Sequence, residues 1–161
     1  MNISRNPSVP YPSADGVMKN PRLINGVVAA RCDEINTISD YVYYGIILAE
    51  CYPALSELFE RLAMTEMLHF KLLGQMILAL GGNPCIRARV GGASVCTPPT
   101  ACDVKRLLES AIASEKKACA EYNRLAAEAC GDKFAEEIFC RLASDEDGHA
   151  KMLCAALRGI Q

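Results

Sequence analysis

The chain carries little excess charge and no long apolar run. Its 17 Lys and Arg against 19 Asp and Glu leave a formal net charge of −2, which argues against a nucleic-acid partner and against an acidic tail. No apolar stretch is long enough to cross a bilayer, so we expect no membrane partner. The first residues, MNISRNPSVPYPSADG, lack a charged start followed by an apolar stretch, so we expect a cytoplasmic protein.

Cysteine pairs of the zinc-ribbon type are also missing. Nine cysteines occur, but no two of them form Cys-x-x-Cys, the spacing typical of zinc ribbons and redox motifs. We therefore expect reduced, mostly buried thiols that act as small apolar residues. Cys119 follows Glu115 by about one helical turn, and a redox role for it is a minor alternative.

The length and the apolar periodicity predict one helical domain. At 161 residues, 51% of them apolar, the chain can build one sizeable core but not two. Residues 1–20 are rich in Pro, Ser and Asn and show no periodicity, so they are predicted to form an extended tail. Residues 21–161 form the predicted folded domain, in which apolar residues repeat at three and four positions.

The first predicted hairpin is bounded by prolines and glycines. Pro21 suits the first turn of a helix that runs from Leu23 to about Cys51. Pro53 marks the turn into a second helix, which ends at Leu80 before a Gly-Gly-Asn-Pro sequence.

The second predicted hairpin follows a long connection. Residues 81–101, with four glycines and three prolines, are expected to form a crossover loop. Asp103 is expected to cap a third helix that ends near Gly131, and a fourth runs from about Lys133 to Leu157. Two helical hairpins joined by a crossover predict an all-α, antiparallel four-helix bundle.

The chain has only two histidines, and each lies three residues after a glutamate. The sequence TEMLHF places Glu66 before His69, and DEDGHA places Glu146 before His149. A spacing of three puts each Glu beside its His on one helical face. The first helix of each hairpin holds another repeated pair, a Glu followed seven residues later by a Tyr. These pairs are Glu34 with Tyr41 and Glu115 with Tyr122.

The spacing about each turn places these groups at one height. The midpoint of positions 34 and 66 falls just before Pro53, and the midpoint of 115 and 146 falls at the Cys130-Gly131 turn. In an antiparallel hairpin, residues equidistant from the turn lie side by side. Four carboxylates and two imidazoles are therefore predicted to converge in the core.

Such a cluster is expected to bind two divalent metal ions. Each buried carboxylate would cost several kcal/mol if unpaired, and four together would repel one another. Two divalent cations balance their charge. Ligands without a thiolate argue against structural zinc and suit iron or manganese.

The predicted metal ligands, which are also the predicted catalytic residues, have three roles. Glu66 and Glu146, each beside its histidine, are the expected bridges between the ions, and Glu34 and Glu115 the expected terminal ligands. His69 and His149 complete the set. Tyr41 and Tyr122 are candidates to donate hydrogen bonds to the carboxylates around the cofactor, and simple core packing is an equal alternative.

Over residues 23–157 the chain resembles the ferritin-like di-metal carboxylate superfamily, and within it the rubrerythrin-type branch. The resemblance rests on Glu34, the Glu66-Met67-Leu68-His69 segment, Glu115 and the Glu146-Asp147-Gly148-His149 segment. It implies a cofactor of two Fe ions, with Mn as the alternative, that reduces hydrogen peroxide or dioxygen. In the peroxidase form, the reduced pair gives two electrons to hydrogen peroxide and splits it to water.

Two departures from the rubrerythrin pattern change what the resemblance implies. The rubredoxin domain, with its two Cys-x-x-Cys pairs, has no counterpart here, so the electron donor is expected to be a separate rubredoxin-like protein. The family's additional Glu, three residues after the third-helix ligand, is replaced by Ala118, which places its iron-shifting cycle in doubt.

Three other functions remain open at this point. Manganese ions in the same ligands would support a catalase-like disproportionation of peroxide without a donor. A ferroxidase that feeds iron storage is a different class, and a metal-free structural bundle is a third. A homodimer is expected, because small bundles with apolar outer surfaces often pair.

Overall fold

In the computed structural model, which describes residues 10–86 and 100–160, the chain forms four long helices and no strand within those ranges. The helices are α1 (Pro21–Leu48), α2 (Pro53–Ala79), α3 (Ala101–Glu128) and α4 (Lys133–Arg158). The pairs α1–α2 and α3–α4 pack as antiparallel hairpins, and the two hairpins face each other. The predicted all-α four-helix bundle is confirmed. None of these helices combines the length and the apolar character that crossing a bilayer requires.

The helix starts follow from capping residues and prolines. Asn20 caps α1 by accepting a hydrogen bond from the backbone N–H of Arg22, and Pro21 follows as the first helical residue. The prediction that Asp103 caps α3 is wrong. Thr100 is the cap: its hydroxyl oxygen accepts a hydrogen bond from the backbone N–H of Asp103, and the carboxylate of Asp103 accepts one from the backbone N–H of Thr100. This reciprocal arrangement is a capping box, in which the acidic residue lies three positions after the cap.

The first helix of each hairpin ends earlier than predicted, because the turns use more residues. α1 ends at Leu48 rather than near Cys51, and α3 ends at Glu128 rather than near Gly131. Gly131 has φ +98°, a left-handed conformation that glycine adopts without strain. The predicted crossover loop, residues 81–101, lies for the most part outside the described residues.

A polar layer divides the core into two apolar clusters. One cluster contains Val27 and Leu73 from the first hairpin and Leu125 and Phe139 from the second. The other draws on all four helices at the opposite end of the bundle, with members that include Leu48, Phe59, Leu108 and Leu153. The predicted site residues lie between these clusters, where apolar side chains exclude water on both sides.

The cysteines differ from expectation. The seven that the structure describes are free thiols, as predicted, but none of them is buried. Cys51 and Cys130 lie in the turns between helices, and Cys140 lies on the outer face of α4. Cys119 is half-buried on α3, where Asn123 donates a hydrogen bond to its sulfur at 3.5 Å. The apolar core is built from larger side chains and alanine instead.

The described part of the predicted tail packs on the bundle. Residues 14–16 form a short 3-10 helix that contacts α2 and α4, and Ala14 and Val17 are buried in the core. The backbone N–H of Met18 donates a 2.7 Å hydrogen bond to Asp132, the residue that caps α4. The ring of Phe134 lies so close to Gly16 that a Cβ there would clash with it at 2.5 Å. Residues 1–9 lie outside the described part of the chain.

Candidate metal centre

All six predicted ligands are buried in the polar layer, and none is more than 4% exposed. α1 contributes Glu34, α3 contributes Glu115, and the remaining four come from α2 and α4. The positioning is local in origin, because one helical turn separates each Glu from its His. The surrounding sequence repeats as well: RLAMTEMLH at 61–69 matches RLASDEDGH at 141–149 in the Arg, Leu, Ala, Glu and His positions.

The six side chains form two overlapping groups of four. Within each group, one ligand atom from every residue lies within 4.8 Å of the others. Glu66 and Glu146 belong to both groups. The first group adds Glu34 and His69, and the second adds Glu115 and His149.

The two shared carboxylates divide their oxygens between the two imidazoles. Nδ1 of His69 lies 2.8 Å from Oε2 of Glu66 and 3.0 Å from Oε1 of Glu146. Nδ1 of His149 lies 2.8 Å from the other oxygen of Glu66 and 3.2 Å from the other oxygen of Glu146. Each carboxylate therefore presents one oxygen to each side of the site, which suits a carboxylate that bridges two ions through both oxygens.

The two unshared carboxylates lie at the ends of the cluster. Oε1 of Glu34 is 3.8 Å from Nδ1 of His69, and Oε2 of Glu115 is 3.4 Å from Nδ1 of His149. The imidazole rings are nearly parallel, at 21°, with centroids 5.8 Å apart. The geometry is close to two-fold, with one His and one unshared Glu on each side.

Several polar atoms of the cluster have no hydrogen-bond partner among the described residues. They are both carboxylate oxygens of Glu66, Oε1 of Glu146 and Nδ1 of His69. Their separations are short, but the directions are poor for hydrogen bonds. Buried polar atoms without partners are costly and rare in folded proteins. A cation on the His69 side would satisfy Oε2 of Glu66, Oε1 of Glu146 and Nδ1 of His69, and a second on the His149 side would satisfy Oε1 of Glu66, so the donor set fits a metal pair.

The cluster also perturbs its own protonation equilibria. Burial raises the pKa of Glu115 to about 7, and burial together with the negative charge of Glu66 raises the pKa of Glu34 well above its usual range. Burial opposes charge on His69, but Glu66 and Glu146 outweigh it and raise the pKa of the imidazole. Glu66 behaves oppositely: burial alone would raise its pKa, but the two histidines lower it to about 2. The site therefore retains positive charge from protons when no metal supplies it.

The two predicted tyrosines cross between the hairpins. Tyr41 on α1 donates its hydroxyl hydrogen bond to Glu115 on α3, and Tyr122 on α3 donates to Glu34 on α1. Both tyrosines are buried. Each unshared carboxylate is therefore held by the opposite hairpin, while contact of these tyrosines with a cofactor stays a prediction.

Sequence reasoning missed the groups behind His69. Nε2 of His69 lies 3.3 Å from the hydroxyl of Tyr11 and 3.4 Å from Oδ2 of Asp145. Tyr11 donates a 2.8 Å hydrogen bond to Asp145, and Nε of Arg141 lies 3.2 Å from the same carboxylate oxygen. The sequence position of Asp145, next to Glu146, could have pointed to it. Tyr11 lies in an aperiodic segment that carries no such indication.

A cleft between α1 and α3 reaches the cluster from the surface. Its volume is about 130 Å³, and four of the predicted ligands line its inner end: Glu34, Glu66, Glu115 and Glu146. The exposed pair Asp33 and Lys117, joined at 3.2 Å, also lines it. Ala118, at the position where the rubrerythrin pattern has a further Glu, contributes only an apolar wall. The site is thus buried but open to small molecules from one side.

Comparison with known proteins identifies the fold family. The ferritin-like domain family matches residues 31–161. A dodecameric thioferritin, the bacterioferritin-related protein of Bacteroides fragilis, has 22% sequence identity and a TM-score of 0.74, with 91% of this chain and 90% of that chain covered. No curated protein sequence matches the chain significantly.

Two further solved structures share the fold. A Rhodobacter capsulatus bacterioferritin with a metal-free dinuclear site and heme iron is 23% identical, with a TM-score of 0.71 and 88% and 86% of the two chains covered. A ferritin-like diiron-carboxylate protein from Bacillus anthracis strain Ames is 26% identical, with a TM-score of 0.69 and 84% and 95% covered.

Proposed function

Because its residues 31–161 match that family, the chain belongs to the ferritin-like domain family, and we propose that it is a non-haem di-iron oxidoreductase. One observation carries the proposal: two four-residue ligand groups share Glu66 and Glu146. Each shared carboxylate offers its two oxygens to different imidazoles, which is the arrangement that two adjacent ions require.

The ligand set favours iron or manganese. Each group contains three carboxylates and one imidazole and no thiolate, which differs from the sulfur-rich ligands of structural zinc sites. Four carboxylates balance the charge of two divalent ions, which makes the buried site tolerable. Iron is proposed as the cofactor, with manganese as the alternative.

The proposed reaction is the reduction of hydrogen peroxide or dioxygen. A reduced iron pair would supply two electrons to such an oxidant. Glu66 and Glu146 belong to both ligand groups and would hold both ions. The hydroxyls of Tyr41 and Tyr122 donate hydrogen bonds to the unshared carboxylates and orient them. The cleft between α1 and α3 would admit the oxidant, while the two apolar clusters keep bulk water out.

The catalytic test compares peroxide consumption with and without an electron donor. Protein purified without oxygen should hold two Fe per chain. Without a donor, each reduced iron pair should consume one equivalent of peroxide and then stop, and continued consumption should require a rubredoxin-like donor. Continued peroxide loss without a donor, together with manganese in elemental analysis, would favour the catalase-like alternative. Metal-free protein of full stability after aerobic and anaerobic purification would contradict the proposal.

Iron handling is the second candidate function. Two of the similar structures are a bacterioferritin and a bacterioferritin-related thioferritin, and Ala118 replaces the extra carboxylate of the rubrerythrin pattern. In this case Fe(II) would be a substrate that is oxidised and passed on. Fe(II) in large excess with dioxygen should then yield a mineral core in a large assembly, which light scattering detects. Retention of two Fe per chain would favour the oxidoreductase instead.

We also propose that the protein forms a homodimer in the cytoplasm. The outer face of the α1–α2 hairpin exposes an apolar stripe on α1 that includes Ile35, Val42 and Ile46. The cysteines that the structure describes are free, in keeping with a reducing compartment. Light scattering should give the mass of a dimer, and Ile46→Lys should give a monomer. A lysine on the outer face of the other hairpin, Cys140→Lys, should leave the dimer intact.

A further inference from the structure

The two halves of the cluster differ in the groups that lie next to Nε2, the histidine nitrogen that points away from the cluster. In the repeated segments, Asp145 occupies the position that corresponds to Thr65. Asp145 lies next to Nε2 of His69, but the hydroxyl of Thr65 donates to the carbonyl of Arg61 on its own helix at 3.3 Å. Across residues 10–86 and 100–160, Nε2 of His149 makes no hydrogen bond.

Tyr11 completes the arrangement around His69. Its hydroxyl proton goes to Asp145 at 2.8 Å, which leaves the oxygen lone pair, 3.3 Å from Nε2 of His69, free to accept. In the neutral imidazole this network keeps the proton on Nε2, so that the lone pair of Nδ1 would be available to a metal ion in the cluster. A chain of two hydrogen bonds thus links Nε2 of His69 to the hydroxyl of Tyr11, and that hydroxyl to Asp145.

Tyr11 is itself held in place. The guanidinium of Arg141 lies 4.7 Å from its ring centroid and also pairs with Asp145, while the imidazole of His69 meets the ring edge-on at 5.9 Å. Downstream, Val17 is buried, and the backbone N–H of Met18 is bound to Asp132. The segment therefore presents Tyr11 to the cluster from a docked position.

We propose that Tyr11 is a positioning residue for His69 that makes the two metal sites unequal. The ion held by Glu34 and His69 binds more tightly than the ion held by Glu115 and His149. The reason is that a hydrogen bond to the outer nitrogen of a ligating imidazole orients the ring and raises its basicity. Losing such a partner typically costs about 10–100-fold in metal affinity. The inference rests on the proposed metal site and adds an order of filling to it.

Because the chain has only two histidines, nuclear magnetic resonance can follow each site separately. The test titrates Zn²⁺, a diamagnetic probe, into the metal-free full chain labelled with ¹⁵N at histidine, with His149→Gln used for assignment. Nδ1 of His69 should shift at a lower Zn²⁺ concentration than Nδ1 of His149. Tyr11→Phe should weaken the His69 site by about tenfold, move the Nε2 resonance of His69 and leave His149 unchanged.

One control variant and one gain-of-contact variant accompany this test. Tyr44 is half-buried and its ring packs on Phe59, so Tyr44→Phe removes a tyrosine hydroxyl elsewhere and should change neither Zn²⁺ midpoint. Thr65→Asp gives His149 the carboxylate that His69 already has and should tighten the second site. Circular dichroism and the melting temperature check that each variant folds.

The outcomes are distinguishable. Simultaneous filling in the unmodified chain, earlier filling at His149, or an unchanged His69 midpoint in Tyr11→Phe would each overturn the inference while leaving the metal site standing. If neither imidazole responds to Zn²⁺, the proposed function fails and the inference fails with it. Should Tyr11→Phe not fold, the filling order of the unmodified chain and the response to Thr65→Asp still decide the question.

Discussion

The two hairpins agree on the inside of the bundle and differ on the outside. Each contributes one Glu from its first helix and a Glu-x-x-His from its second, and the tyrosine of each binds the carboxylate of the other. Outside, the α1–α2 hairpin exposes large apolar residues, whereas α3–α4 exposes ion pairs such as Arg124 with Glu121. The residues that the two hairpins share are those that build the site, while their outer surfaces differ in polarity.

The largest expected effect comes from removing the shared carboxylates. Glu66→Ala combined with Glu146→Ala should abolish binding of both ions, because each group of four loses two ligands. Elemental analysis of anaerobically purified protein measures the loss. Glu57→Ala with Glu137→Ala, at equivalent exposed positions of the repeat, is the matched control and should retain both ions. Unchanged metal content in the first variant would disprove the site.

The unshared carboxylates should each control one ion. Glu34→Gln and Glu115→Gln should each lower the stoichiometry from two ions to one, because each residue belongs to a single group. Calorimetric titration of the metal-free variants with Fe(II) under anaerobic conditions gives the numbers. If either variant lost both ions or neither, the two halves would not be separate sites.

Removal of the metal ions by a chelator should make the stability of the protein depend on pH, because the buried carboxylates of both hairpins then bind protons instead. In the metal-free protein, burial raises the pKa of Glu115 to about 7 from the ordinary 4.5, so the folded chain holds a proton that the unfolded chain releases. Stability then falls as pH rises from about 4.5 through 7. The raised pKa of His69 acts in the same direction above about 6.5, where the unfolded imidazole loses its proton first.

The loaded protein should lack this loss, because metal ions replace the protons. The melting temperature of chelated protein should therefore fall further below that of loaded protein at pH 8 than at pH 5. Each kcal/mol corresponds to about 2–4 °C in a chain of this size. A gap that is constant or narrows between pH 5 and pH 8 would contradict the proposed linkage.

The smallest expected effect compares the two crossing tyrosines. Tyr41→Phe and Tyr122→Phe each remove one hydrogen bond to a buried carboxylate and should destabilise the protein by about 1.5–3 kcal/mol. Urea unfolding measures both, with Tyr44→Phe as the control. Similar losses in the two variants would extend the agreement between hairpins. A large difference would show that the crossing bonds are unequal.

Much of this architecture could be predicted, because helix formation depends on local sequence and the distance of a residue from the hairpin turn determines its level along the bundle. The spacing of Glu34 and Glu66 about one turn, and of Glu115 and Glu146 about the other, was enough to predict that they meet. The cap of α3 was harder to predict. Thr and Asp are both favoured as helix caps, and Thr100 and Asp103 lie only three residues apart, so the sequence allows either to begin the helix. Tyr11 could not be found, because its contacts depend on how an aperiodic segment docks across α2 and α4.

The division of the core into two clusters bears on how such a chain could arise. Both clusters take side chains from all four helices. A peptide with only one hairpin would leave each of them half open to solvent, so it could gain a dry interior only against a twin. Duplication and fusion of a gene for one hairpin would place both hairpins in a single chain. Each hairpin could then change in sequence at positions that do not contact the other.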